Sequence, residues 1–121
     1  MLSTLTLADS AAVDHTFNLR GSTQNGASYV DAASSLSEPV ALVVNHKLVA
    51  AGSKGSDRHT AKMQLQTSDS LGNPLVVTAE LSLAVPRDAA VTATEALDIA
   101  IMLRNYVSQA NITNLIAGIT P

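Results

Sequence analysis

The sequence predicts an α+β fold for this 121-residue chain, an antiparallel sheet followed by two helices. Three observations predict it. Up to residue 86, apolar and polar residues alternate with period two between turn-rich segments. From residue 92 the apolar spacing becomes helical. At the change stands Thr92-x-x-Glu95, a capping box in which each side chain is expected to satisfy the other's free backbone donor. A single domain over residues 1–121 is expected, with a hairpin and sheet in 1–86 and two helices in 92–121, because this length supports one modest core.

The elements follow in order. Leu2–Ala8 and Val13–Arg20 flank "DSAAVD" and read as a hairpin. Asn25-Gly26 marks a turn, since both residues tolerate positive φ. Ala27–Ala32 is a short strand, followed by the loop "SSLSEP" and Pro39. "KLVAAGSKGSDRHTAKMQLQ", residues 47–66, reads as two strands around a tight turn, with strands over Val40–Ala50 and Arg58–Thr67. "SDSLGNP" turns the chain again, and Leu75–Val85 is the longest strand, closed by Pro86. Short loops between consecutive strands make an antiparallel meander. No internal repeat or low-complexity linker is visible.

Alternation assigns the faces. Arg58, Thr60, Lys62, Gln64 and Gln66 point one way, and His59, Ala61, Met63 and Leu65 the other. Thr78, Glu80 and Ser82 oppose Val77, Ala79, Leu81 and Leu83, while Asn45 and Lys47 oppose Val44, His46 and Leu48. The sheet therefore has an apolar face and a polar, mostly basic one. Net charge sharpens this point. The chain carries −3, yet residues 45–66 hold Lys47, Lys54, Arg58 and Lys62 against Asp57 alone. A local excess of positive charge on an acidic protein suggests a face that attracts a polyanion. A hairpin whose charges are merely solvated remains the rival reading.

In the helical half, Ala96, Ile99, Ala100, Leu103 and Val107 form one apolar stripe, widened by Leu97 and Ile101. Ile112, Leu115, Ile116 and Ile119 follow at i, i+3, i+4, i+7 spacing in a helix too short to stand alone. Aromatics are only Phe17, Tyr29 and Tyr106, so the core must be aliphatic. There is more apolar helix than one small sheet requires, and a second subunit is expected to cover it.

Other classes find little support. There is no cysteine, hence no disulfide or thiolate metal site. His15, His46 and His59 are scattered along the chain without metal-ligand spacing, and no nucleophile with a matched base is present. "GSKGS" lacks the spacing of a phosphate-binding loop. Catalysis, a cofactor, a bound metal and a small-molecule substrate are not expected. "MLSTLTLADS" lacks the features of a signal peptide and no stretch approaches a membrane span, so a soluble, intracellularly made chain is expected. Asn111-Ile112-Thr113 matches a glycosylation sequon by chance.

With this order laid out, the chain resembles the coat proteins of single-stranded RNA bacteriophages, the leviviruses. The resemblance covers nearly the whole chain and is strongest in "VTATEALDIAIMLRNYVSQANITNLIAGITP", residues 91–121. It implies an interlocked homodimer with the two sheets edge to edge and each subunit's helices crossing the partner's sheet. Leu97, Ile101, Ile112, Leu115, Ile116 and Ile119 would lie in that interface. Dimers would assemble into an icosahedral shell in the virion, made in the cytoplasm of a bacterial host. The loop of Ser68, Asp69, Ser70, Leu71, Gly72, Asn73 and Pro74 would make inter-dimer contacts, with Gly72 permitting different loop shapes.

The resemblance further implies that the polar face packages genomic RNA and binds a hairpin that represses replicase translation. The matching positions are Asn45, Lys47, Arg58, Thr60, Lys62, Thr78, Glu80 and Ser82, the basic members meeting phosphates and the uncharged ones base edges. Two departures weaken the hairpin-binding part. Residues 39–86 contain no aromatic on which a base would stack, and Glu80 would repel phosphate unless it accepts from a base amino group. Packaging is the safer expectation. A cellular RNA-binding dimer that forms no shell is the alternative, and a sheet-and-helix ligand-binding module is a third class.

Overall fold

A computed structural model describes residues 2–50, 52 and 54–118 of the chain. Six strands run in sequence order through one antiparallel sheet: β1 (Thr4–Ala8), β2 (Asp14–Thr23), β3 (Gly26–Asp31), β4 (Val40–Lys47), β5 (Ser56–Ser68) and β6 (Pro74–Pro86). Helices α1 (Ala93–Tyr106) and α2 (Gln109–Ile116) follow. The expected hairpin and meander are therefore one continuous sheet, with β1 and β6 as its edges.

Cross-strand register confirms the face assignment, because paired residues share a face. Asn45 pairs with Thr60 and Thr60 with Ser82, which is one polar row. On the opposite face, Tyr29 pairs with Leu42, Leu42 with Met63, and Met63 with Ala79. Among the described residues, Phe17 and Tyr29 are the buried hydrophobic ones, on adjacent strands of that apolar face. The Tyr29 hydroxyl donates to the Leu2 carbonyl at 2.9 Å, tying down the start of the chain.

Three local expectations change. The connection after Lys47 is not tight: Lys47–Arg58 is the last paired rung, and the chain takes a wide loop between them that includes Gly52 at φ +79°. Asp57 anchors its far end by accepting the Val49 N–H at 2.9 Å and the Arg87 Nε at 2.9 and 3.0 Å. Gly26 is needed for close approach, not for positive φ, since a Cβ there would lie 2.5 Å from the Val44 carbonyl oxygen. At the start of α1 the Thr92 hydroxyl accepts the Glu95 N–H at 3.1 Å and donates to the Glu95 carboxylate, so the cap closes through the two side chains.

Two hairpin turns are built alike. In residues 9–13 and 69–73, the first carboxylate accepts the N–H groups of the third and fifth residues at 2.8–3.1 Å. The fourth residue is left-handed in both, Ala12 at φ 61° and Gly72 at φ 83°. The Asn73 side-chain amide, then its backbone N–H, hold the Asp69 carboxyl below the ordinary value. Gly72 thus serves one tied turn in this chain, and a β-branched residue there would strain the backbone before any contact between subunits was tested.

The helices end and begin with side-chain caps. Ser108 accepts the Asn111 N–H at 3.3 Å, and the Asn111 amide donates to the Tyr106 carbonyl, joining α2 to the end of α1. The sequon asparagine is spent on this join. Gly118, at φ 72°, donates to the Leu115 carbonyl and closes α2. The face of α1 bearing Ala100, Leu103 and Val107 looks onto β4–β6 across an open cavity of about 440 Å³ lined by Leu42, Met63 and Leu81.

That gap is one sign of a larger shortfall. A compact monomer of 12.5 kDa exposes about 6,200 Å². This chain exposes 8859 Å², an excess of roughly 2,700 Å². Ile112, Leu115 and Ile116 are 41%, 57% and 83% exposed, although their spacing is that of a buried face. Ile119, the fourth member of that stripe, lies outside the described residues. The other excess is along β6, a 13-residue edge strand whose outer main-chain groups have no neighbouring strand among the described residues.

Candidate nucleic-acid interface

The long strands β4, β5 and β6 bring the expected polar residues together on one flat surface. Lys47 lies directly opposite Arg58, Asn45 opposite Thr60, and Lys62 opposite Glu80. Like charges opposite one another on a sheet are destabilising. The Lys47–Arg58 rung therefore costs the folded chain something that folding alone does not explain. Arg58 Nη1 donates to Ser82 Oγ at 3.2 Å, which aims the guanidinium toward β6 and away from Lys47. Gln64 similarly reaches Thr78 Oγ1 at 3.3 Å.

Acidic neighbours do little to quench this surface. Asp57, the one acid near the basic residues in sequence, alternates onto the opposite face. There the Val49 N–H, then Arg87, hold its carboxyl below the ordinary value. Lys62 and Glu80 share a rung, but among the described residues the ion pairs are Asp9–His15, Asp31–His15 and Asp57–Arg87. Lys47 and Arg58 are exposed, and Lys62 is half-buried. Lys54 sits in the wide loop, off the strand face.

Sequence reasoning missed a depression beside Asn45. Gly21, Gly26, Ser28 and Val43 share the polar face there by register, and their small or short side chains leave a concavity of about 380 Å³. Its signal was the density of Gly and Ser in residues 21–28, which reads equally well as turn chemistry.

The histidines, scattered along the sequence, fall into two hydrogen-bonded arrangements in the fold. His46 and His59 are directly opposed on β4 and β5, with their Nδ1 atoms 2.8 Å apart. His15 is clamped on both sides: Nε2 contacts Asp9 Oδ2 and Nδ1 contacts Asp31 Oδ2, each at 2.8 Å. Asp31 is 5% exposed, and its other oxygen accepts the Ala33 N–H at 3.0 Å. The hydrogen bond to Asp9, then that to Asp31, raises the His15 pKa, while His15 and then the Val13 and Ala11 N–H groups lower that of Asp9.

The signs give a pH window. A raised His15 pKa contributes stability that is whole below the ordinary imidazole value and is lost as pH rises through the folded value. A lowered Asp9 pKa contributes stability that is whole above the ordinary carboxylate value and is lost as pH falls through the folded value. The clamp is therefore strongest between the two. Hydrogen exchange of the β1–β2 amides, followed from about pH 5 to about pH 9, is expected to quicken on the alkaline side beyond its intrinsic pH dependence. His15→Gln should remove that extra sensitivity. An unchanged profile in the variant would dismiss the clamp as a stabilising element.

No protein-family model matches the sequence, and no curated protein sequence matches it significantly. Solved structures do match, over essentially the full length. The "Bacteriophage EMS014 coat protein" superposes with a TM-score of 0.78 at 15% identity, covering 100% of this chain and 99% of that one. The "Virus-like particle of bacteriophage NT-214" gives 0.70 at 22% identity, covering 100% and 98%. A structure titled as an unassembled virus coat protein dimer and bacteriophage RNA-binding dimer gives 0.58 at 13% identity, covering 99% and 97%. From β1 to α2, this chain has the fold of bacteriophage coat proteins.

Proposed function

We propose that this chain is the coat protein of a single-stranded RNA bacteriophage, a non-enzymatic, single-domain subunit that dimerises, assembles into an icosahedral shell and packages genomic RNA against its polar sheet face. The observation that carries the reading is the unmet surface. An excess of roughly 2,700 Å² per chain is of the size that an obligate dimer interface buries. Its two main parts are an open β6 edge and the exposed aliphatics of α2. Pairing β6 with its counterpart joins two sheets, and the partner's helices fill the space over β4–β6. Leu97, Ile101, Ile112, Leu115, Ile116 and Ile119 are the proposed interface residues.

On the other face, Lys47, Arg58 and Lys62 are proposed to meet phosphates, and an RNA backbone would relieve the Lys47–Arg58 repulsion. Asn45, Thr60, Thr78, Glu80 and Ser82 are proposed to contact sugars and base edges, with Asn45 at the rim of a concavity large enough for a base. The turn from Ser68 to Pro74, tipped by the 85%-exposed Leu71, is proposed to meet neighbouring dimers. The protein would then reside in the virion after synthesis in a bacterial cytoplasm.

Negative-stain imaging of the purified protein, with nuclease-protected RNA measured on the same sample, tests the proposal. Uniform hollow or RNA-filled particles are expected. Discrete dimers that bind RNA without forming shells would favour a cellular RNA-binding protein instead.

A further inference from the structure

We infer that His46 and His59 form a two-imidazole site for a divalent transition-metal ion, Cu²⁺ in preference to Ni²⁺ or Zn²⁺, on the helix-facing side of the sheet. The site lies on the face opposite the RNA-binding residues, the side over which the proposed partner's helices pack, and its test does not depend on RNA. Register places the two residues directly opposite each other on β4 and β5, so the strands hold both side chains in reach of one ion. Their Nδ1 atoms are 2.8 Å apart, with ring centroids at 5.0 Å and planes at 64°. Among the described residues neither ring has another hydrogen-bond partner.

The ligand type selects the metal class. The 2.8 Å separation is that of a hydrogen bond between the rings and changes when they turn to bind. Two imidazole nitrogens with the remaining positions open favour Cu²⁺ over the other divalent first-row ions, Ni²⁺ and Zn²⁺ included. In the free protein the two Nδ1 atoms are hydrogen-bond partners, an arrangement in which one of them is the donor. Binding requires a small turn of the exposed His46 ring and the half-buried His59 ring, and transfer of the donor's proton, through solvent, to the Nε2 of the ring that carried it. Both Nδ1 lone pairs then face the ion, and two neutral rings release no net proton. No third His, Cys, Asp or Glu completes a cluster among the described residues, so water fills the remaining positions. Asp57, two residues before His59 on the same face, adds negative potential, but its oxygens are held by Arg87 and the Val49 N–H.

The chain carries its own control. It has three histidines, and both nitrogens of His15 are engaged by carboxylates. Titration calorimetry of the purified protein with Cu²⁺, Ni²⁺ and Zn²⁺ in a non-chelating buffer should show one ion per chain, with Cu²⁺ binding tightest. His46→Asn and His59→Asn should each weaken Cu²⁺ binding about tenfold or more, because each removes half of a chelate. His15→Asn should leave it unchanged. The Cu²⁺ electron paramagnetic resonance spectrum should show coupling to two imidazole nitrogens in the wild type and to one in either single variant. Undetectable binding to the wild-type protein, or wild-type Cu²⁺ affinity in either the His46 or the His59 variant, would overturn the assignment.

Discussion

Deleting residues 111–121 is expected to leave insoluble or unfolded protein. The expectation does not come from contacts within the chain, where Ile112, Leu115 and Ile116 are largely open to solvent. If the protein worked as a monomer, removing them would cost little and would even improve solubility. If a partner covers them, the three side chains lose roughly 1.5–3 kcal/mol of burial each. Their sum is comparable to the whole stability of a small domain. The deletion also removes the Asn111 amide that joins α2 to the Tyr106 carbonyl. Sedimentation and circular dichroism of the truncated chain decide the matter, and a soluble, well-folded monomer would sink the interlocked dimer.

Neutralising Lys47, Arg58 and Lys62 together, each to Gln, is expected to separate RNA capture from shell assembly. The proposed dimer would carry six of these charges on one continuous surface. Each phosphate contact to single-stranded nucleic acid contributes about 0.7 to the log–log salt slope, so the slope should flatten by about four units per dimer. Packaged RNA should fall with it. Particles should still form, because the helices, the β6 edge and the 68–74 turn are untouched. Thermal stability should hold or rise slightly, since the Lys47–Arg58 repulsion is gone. Lys54→Gln is the control, with its charge in the wide loop. Unchanged RNA content and salt slope in the triple variant would show that these charges are only solvated.

Strand positions and faces were legible because alternation is a local property of β5 and β6, each 13 residues long. The Thr92 cap and the α2 stripe were legible for the same reason. Register was not. Alternation says that His46 and His59 share a face, but only the length of the loop after Lys47 makes them neighbours. The His15 clamp needed still more. It joins residues 9, 15 and 31 through the pairing of β2 with β3 and the geometry of the Asp9 turn. The likeness of the turns at 9–13 and 69–73 hid behind two shared letters, Asp-Ser, with Ala in one standing where Gly stands in the other.

The open edge of β6 bears on how such a subunit would choose its mate. A strand that docks through its N–H and C=O groups offers the same ladder whatever side chains it carries. Affinity obtained this way survives sequence drift, but it cannot distinguish a sibling chain from a stranger with the same backbone. Discrimination would fall to the helices, where the shapes of Ile112, Leu115 and Ile116 must match the slot over the other subunit's sheet. In a cell infected by two phages with coats of this fold, fidelity of assembly would then rest on a few aliphatic side chains near the carboxyl end, while the sheet edge stayed indifferent.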